Sequence, residues 1–335
     1  MKLYFYILVS LVIISCGNKE QQLIVFQGEA FGTTYAIQAY SEKNINLEKG
    51  IDSVIYAVNK SVSTYQPNSD ISKINRGDST IVVDAIFKEV YRISETVYTN
   101  SEGFFDPTIG VLRNAYGFGD VKPLKEMDNV TLDSLMKYVG FNKVSIKVDG
   151  TIHKEQSEIY FDFNAVAKGY GIDCIGNFLK AKGISNYLIE LGGEILTEGM
   201  HLDKNKNWVV GIENINSPLE DRSYSAIVAL KNEAMAASGN YRKFRVDSLT
   251  DEKYVHTLNP ITGSAEKSDV TSATVIAPTC ALADAYATTF MAMGLERSKC
   301  LLPKLEGIEA YLTYNDTLSK PQIYVTDGFK KRLLD

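Results

Sequence analysis

Apolar residues recur at Ile51, Val54, Ile55 and Val58, the three- and four-residue spacing of a helix that buries one face, which predicts a helix over roughly 46–61. A second helix is expected from Ala85 to Thr99, a short one near 131–138, and another that begins after Asn164 and ends near Gly183. ALADAYATTFMAMG (281–294) is small and apolar with a glycine stop, a further helix, and one more follows near 295–304. Elsewhere the polarity alternates with period two. Residues 23–40 read as two strands, and KVSIKV turns at Asp149-Gly150 into TIHK. NYLIEL and EILTEG flank Gly192-Gly193, and strands are expected near 208–213, 224–230, 253–258 and 270–277. YQPNSDISKINRGDS reads as loop, as does the glycine-rich stretch through Gly117 and Gly119. Strands come in consecutive runs and do not alternate one for one with helices. The fold class is therefore α+β, with mainly antiparallel sheets packed with helices.

The first sixteen residues, MKLYFYILVSLVIISC, stand apart. Lys2 precedes an apolar run too short to span a bilayer, the shape of a signal peptide. Cys16 follows that run directly and leads into the polar Gly17–Gln22, which resembles a bacterial lipoprotein signal with Cys16 as the lipidated residue. Ile13 stands where leucine is usual, and an ordinary cleaved signal with an incidental cysteine is the alternative. On the lipoprotein reading, 1–15 is the signal peptide, 16–23 a lipid-anchored tether, and 24–335 a single catalytic domain, divisible into two lobes near 120–160. Removing Cys16 from the four cysteines leaves Cys174, Cys280 and Cys300, an odd number at spacings of no zinc or disulfide signature. With 35 basic against 41 acidic residues and no basic stripe, nucleic acid is not an expected partner.

Four stretches could carry chemistry. Asp284 sits in an otherwise small, apolar helix, where a carboxylate is costly unless paired or hydrogen-bonded. Thr288 is four residues on, so both oxygens share a face that suits Mg²⁺; spacing alone equally allows a backbone-bonded Asp284 and a back-bonded Thr288. In FDFNAVAKGYGID, Lys168 follows Asp162 and Asn164 in a first helical turn, against the dipole preference, as a bound phosphate would permit and as a solvated lysine also would. FGTTY, SVSTYQP and SEGFFDPTIG set aromatics beside small residues, open to a flat ring or to the core. LIELGGE places Glu190 before a glycine pair. His256, one of three histidines, precedes the Leu258-Asn259-Pro260 turn and is undecided by spacing between a base and a strand-end residue. No GxGxxG, Walker loop, HExxH or nucleophile triad is present.

Taken in order, GTTY (32–35), STYQPNSDISKIN (63–75), FDPTIGVL (105–112), FDFNAVAKGYGID (161–173), LIELGGEI (188–195), HTLNPITG (256–263) and TVIAPTCALADAYATTFMAMG (274–294) resemble the ApbE family, the FAD:protein FMN transferases. The resemblance spans about 26–315 and implies an ApbE-like, T-fold-related architecture. It implies a Mg²⁺-dependent enzyme that cleaves FAD, transfers FMN to a threonine or serine hydroxyl of a partner flavoprotein, and releases AMP. Acceptors of this kind are subunits of membrane redox complexes, and the enzyme would sit lipid-anchored on the periplasmic side of the bacterial inner membrane.

Carried over by motif, metal ligands would be the Ala165 carbonyl and the side chains of Asp284 and Thr288. FAD contacts would fall on Phe31, Tyr65, Phe104, Phe105, Asp106, Asp162, Lys168 and Leu258, with His256 as the base for the acceptor hydroxyl. Two positions depart from the family pattern: Phe31 replaces a usual methionine, and Asn259 a usual aspartate. The same residues would serve an FAD pyrophosphatase with water as acceptor. A non-catalytic, lipid-anchored FAD-binding protein would not need His256 with the Asp284/Thr288 pair.

Overall fold

The computed structural model describes residues 21–42, 45–119, 121–124, 127–214, 217, 223–239, 244–246, 253–255, 257–265 and 268–334. The signal-like segment, Cys16 and His256 lie outside these residues. Among the described residues, no helix is long and apolar enough to cross a membrane.

In chain order, hairpin β1 (Gln22–Ala30) and β2 (Thr33–Ser41) leads to helices α1 (Glu48–Val62), α2 (Asp70–Asn75), α3 (Ala85–Asn100), α4 (Gly110–Tyr116) and α5 (Asn129–Met136). A small hairpin, β3 (Val144–Ile146) and β4 (Ile152–Lys154), precedes α6 (Ala167–Ala181), β5 (Tyr187–Leu191) and β6 (Glu194–Glu198). Then come β7 (Trp208–Glu213), β8 (Tyr224–Leu230), β9 (Ala234–Gly239), β10 (Phe244–Val246), β11 (Lys253–Val255) and β12 (Val270–Ala277). Helices α7 (Cys280–Met293) and α8 (Leu295–Leu301) are followed by β13 (Glu309–Asn315), β14 (Pro321–Val325), α9 (Asp327–Lys330) and β15 (Leu333–Leu334).

The expected α+β class is what forms. One eight-stranded sheet runs β1-β2-β5-β6-β9-β12-β13-β14, and every pairing in it is antiparallel. Its central strands are apolar on both sides because both faces are covered. Ile37, Ile189, Leu191, Ala273 and Val275 face the larger core, which α1, α3, α6 and α7 complete. Tyr40, Leu188, Ile195 and Ile276 point the other way, into a second core with Trp208, Val228, Leu230 and Phe329 from β7, β8 and α9. A third, smaller cluster holds Leu112 and Tyr116 of α4 against Leu258 and Ala265.

Helix α4 and strands β9, β13 and β14 were not expected from the sequence, and two further segments differ from expectation. Residues 70–75 were expected as loop, yet Ser69 caps α2 by accepting the Ser72 N–H at 3.2 Å, and Ile71 and Ile74 are buried on its inner face. Polar neighbours hid that three-residue spacing. Of the strand expected over 253–258, Lys253–Val255 forms, and from Asn259 the backbone closes a turn: Gly263 N–H donates to the Asn259 carbonyl at 2.8 Å.

Candidate active site

The site is built where α6 and α7 touch. Thr279 caps α7 by accepting the Leu282 N–H, and Asp173 of α6 accepts the N–H groups of Cys280 and Ala281 at 2.8 and 2.9 Å. The helices meet at Gly169: a Cβ there would lie 2.6 Å from the Cys280 carbonyl carbon. So close an approach lets the Gly169 N–H donate to Asp284 Oδ2 at 3.2 Å. It also brings the first turn of α6, with Lys168, against the middle of α7.

Lys168 Nζ pairs with Glu194 Oε1 at 2.9 Å, and Glu194 and Asp284 are buried at 3% and 6% exposure. Burial pushes Glu194 well above the ordinary carboxylate range; the charge of Asp284 adds to the rise and Lys168 opposes it. Burial likewise raises Asp284, against Lys168 and the Gly169 N–H. Lys168 is disfavoured as a cation by burial, but Glu194 and Asp284 together outweigh this and raise its pKa.

Two buried carboxyls crowd one ammonium here, and both hold a proton more tightly than usual. Glu194 Oε2 is buried and has no hydrogen-bond partner among the described residues. Thr288 Oγ1 lies 3.3 Å from Ser238 Oγ of β9, whereas its neighbour Thr289 is the one back-bonded into the helix, to Ala285. Ala165, Asp284 and Thr288 line one cleft. Their hard oxygens fit Mg²⁺, which takes one or two carboxylates plus waters and substrate phosphates. Among the described residues no cluster of three or more His, Cys, Asp or Glu could hold a metal ion.

That cleft encloses about 1370 Å³ and is also lined by Phe31, Tyr65, Phe104, Phe105, Asp106, Asp162, Lys168 and Leu258. Phe31 sits at the β1–β2 turn with φ of 51°, its ring against Gly171 of α6. Tyr65 is 63% exposed at the cleft mouth, while Phe105 and Leu258 are 5% exposed in its walls. The Arg297 guanidinium lies 5.1 Å from the ring centre of Phe104. Asp106 has little left for a ligand: it accepts the Thr108 N–H and hydroxyl and the Phe141 N–H, and holds the Phe-Asp-Pro turn.

Asp162 accepts the Asn164 N–H at 2.8 Å and pairs with Arg113 of α4. Burial works against the Arg113 cation, but Asp162 and Tyr65 outweigh it and raise its pKa further.

Sequence reasoning missed Arg113 and Glu194. It singled out Glu190, which also lines the cleft but accepts the Gly193 N–H at 2.7 Å and so shapes the glycine turn. The signal for Glu194 was its place: the first residue after Gly192 and Gly193, whose φ of 58° and 93° bend β5 back into β6. Arg113 carried no signal, since an arginine in a short amphipathic helix is ordinarily solvated.

Thr257 and Leu258, the next two residues in the chain after His256, line the cleft; His256 itself lies outside the described residues. The other two histidines are elsewhere. His153 is exposed on β4, and His201 Nδ1 bonds the Tyr40 hydroxyl at 2.8 Å beneath the opposite face of the sheet. Asn259 Oδ1 accepts the N–H groups of Ile261 and Thr262 at 2.9 and 3.3 Å. The turn needs an acceptor oxygen there, and asparagine supplies it without charge.

A cleft larger than the roughly 300–1,000 Å³ typical of small-ligand pockets, with aromatic walls and a charged floor of hard oxygens, defines a nucleotide-handling enzyme suited to phosphate chemistry. The sequence matches the ApbE family over residues 31–312, and the chain belongs to that family. It is 32% identical over 309 residues to the FAD:protein FMN transferase of Vibrio cholerae, with 89% of each chain covered. It is 31% identical over 298 residues to the enzyme of that name from Haemophilus influenzae, with 84% of each covered. The structure superposes on the flavin transferase ApbE from Vibrio cholerae with a TM-score of 0.81 at 28% identity, covering 93% of this chain and 100% of that one.

Proposed function

We propose that this protein is a Mg²⁺-dependent FAD:protein FMN transferase. It binds FAD in the cleft, breaks the pyrophosphate, passes FMN to a threonine or serine hydroxyl of a partner flavoprotein, and releases AMP. The observation that carries this reading is the Asp284–Thr288 face of α7 opening, beside Lys168, onto the cleft that the aromatic residues wall.

The chemistry follows from charge. The pyrophosphate is anionic and meets carboxyl oxygens at the floor of the cleft, so a cation between them favours binding. Mg²⁺ held by the Ala165 carbonyl, the Asp284 carboxylate and the Thr288 hydroxyl would neutralise that charge and polarise the phosphorus–oxygen bond. The role of Lys168 is to balance Glu194 and to keep Asp284 ionised, as a ligand must be. Phe31, Tyr65 and Phe104 would hold the flat rings and keep water from the phosphorus.

His256, which precedes the cleft-lining Thr257 and Leu258 in the chain, would take the proton of the acceptor hydroxyl. That oxygen bonds to the FMN phosphorus as the bridging bond breaks, and AMP leaves with the bridging oxygen and its electron pair. A base of this kind is worth about 10²–10⁴ in rate. A lipid on Cys16 would hold the domain at the periplasmic membrane surface, beside acceptor subunits of membrane redox complexes.

Incubation of the domain with FAD, Mg²⁺ and a flavin-carrying acceptor subunit, followed by mass spectrometry, tests the reading. Labelled acceptor with AMP is expected. Free FMN with AMP and no label would make the protein an FAD pyrophosphatase, and neither product would leave it a non-catalytic FAD binder.

A further inference from the structure

Among the described residues, the main sheet is incomplete beside the cleft. β6 pairs with β9 only through Ile195 with Met235 and Leu196 with Ala234, because β6 begins at Glu194, directly after the glycine turn. β9 runs on to Gly239 and stays paired with β12 to its end, Gly239 facing Ser272. Past Met235, β9 therefore has a strand on one side only among the described residues.

The direction of its bare groups follows from the ladder. The Thr197 N–H donates to the Glu233 carbonyl at 2.9 Å, so Glu233 turns its backbone groups toward β6. In an antiparallel ladder the N–H and C=O of one residue point to the same side, and the side alternates along the chain. Met235, Ala237 and Gly239 therefore point the same way as Glu233. Met235 meets β6, whereas Ala237 and Gly239 face the cleft, which both of them line. Ala237 is exposed.

An edge in this condition is a template for a further strand. Ala237, Ser238 and Gly239 are small, so a second backbone can approach without displacing a side chain. Ser238 sets the register, since its hydroxyl faces Thr288 of α7. Residues directly opposite each other on paired strands send their side chains to the same face.

We propose that the acceptor protein docks as an extended strand on the cleft edge of β9, antiparallel to it, with its reacting threonine or serine opposite Ser238. The proposal rests on the transferase reading above. The antiparallel sense follows from β6, whose line the incoming strand continues. The acceptor hydroxyl then points to the face that carries Thr288 and, one turn away, Asp284. In this register the reacting residue turns its own N–H away from β9. The residues just before and just after it exchange hydrogen bonds with Gly239 and Ala237.

That alternation is the test. The probe is a synthetic threonine peptide copied from the acceptor used in the transfer assay, N-methylated at one residue at a time, with FMN transfer and AMP release both measured. A methyl on either neighbour of the threonine should lower kcat/KM for transfer about tenfold or more, from the lost bond and the crowded edge. A methyl on the threonine nitrogen itself should change it less than about threefold on the same scale. Loss at the threonine with tolerance at its neighbours, or equal tolerance everywhere, overturns the proposal; the second is also what a flavin seated on this edge would produce. Labelling of the intact acceptor but not of its unmethylated peptide overturns it too. AMP release with no labelling of any acceptor would instead bring down the transferase reading itself.

Discussion

Replacing Gly169 by alanine puts the argument for the site under direct load. The new Cβ would lie 2.6 Å from the Cys280 carbonyl carbon and 2.9 Å from the Ala281 Cα, backbone atoms that no rotamer change can clear. α7 cannot retreat, since its other faces pack on β9, β12 and α3. The helices must therefore part at the contact that carries the Gly169 N–H bond to Asp284. Overpacking costs about 1–3 kcal/mol and loss of a hydrogen bond to a charged group about 1.5–3 kcal/mol, while the better helix propensity of alanine returns about 1 kcal/mol.

We expect a net loss of about 1.5–5 kcal/mol in urea unfolding with the slope unchanged. A displacement of Lys168 from Asp284 on the order of 1 Å should also lower Mg²⁺-dependent AMP release about 10²-fold at temperatures where the variant is folded. Wild-type stability would refute the packing argument. Reduced stability with full turnover would refute the claim that this contact sets the catalytic geometry.

Asp284→Asn leaves Lys168 and Glu194 as a balanced pair, so stability should stay within about 1 kcal/mol while Mg²⁺-dependent AMP release disappears; calorimetry and chromatography of the nucleotide products read the two. His256→Ala should bind FAD normally by flavin fluorescence yet lose about 10²–10⁴ in transfer, and loss of both would make the residue structural. At Asn259, aspartate keeps the two turn bonds and should leave stability unchanged, whereas alanine should cost about 1–2 kcal/mol in the same urea assay. Burial pushes Asp173 to about 7 from 3.8, so the folded chain holds that proton more tightly than the unfolded chain does. Its contribution to stability is complete below the unfolded value and is lost as pH rises through about 7. Asp173→Asn should flatten that part of the stability profile, and an unchanged slope between about pH 4 and about pH 7 would remove Asp173 as its source.

How far the site could be read in advance depended on the kind of signal each residue carried. Asp284 stood out because a carboxylate in an apolar helix must be explained, and Thr288 because four residues return to the same face. Glu194 did not stand out. Its burial exists only because β6 lies beneath the α6–α7 contact, a relation between segments far apart in the chain. Arg113 likewise became a partner of Asp162 only when α4 was folded onto the strand-like stretch before α6. Helix α2 was lost to composition, since two buried isoleucines among polar residues make too short a period to register.

Periodicity and order were intrinsic to the sequence: the amphipathic helices, the consecutive strands, the asparagine turn and the series of motifs that resembles one family. These features depend on neighbours within a few residues, where backbone and side-chain preferences act directly. The tertiary structure alone decided which carboxylate balances Lys168, that Asp106 is committed to its own turn, and that β9 outruns β6 to leave an edge in the cleft with no partner strand among the described residues. Such features arise from contacts between distant segments, and their energies come from burial and desolvation, which no local stretch of sequence contains.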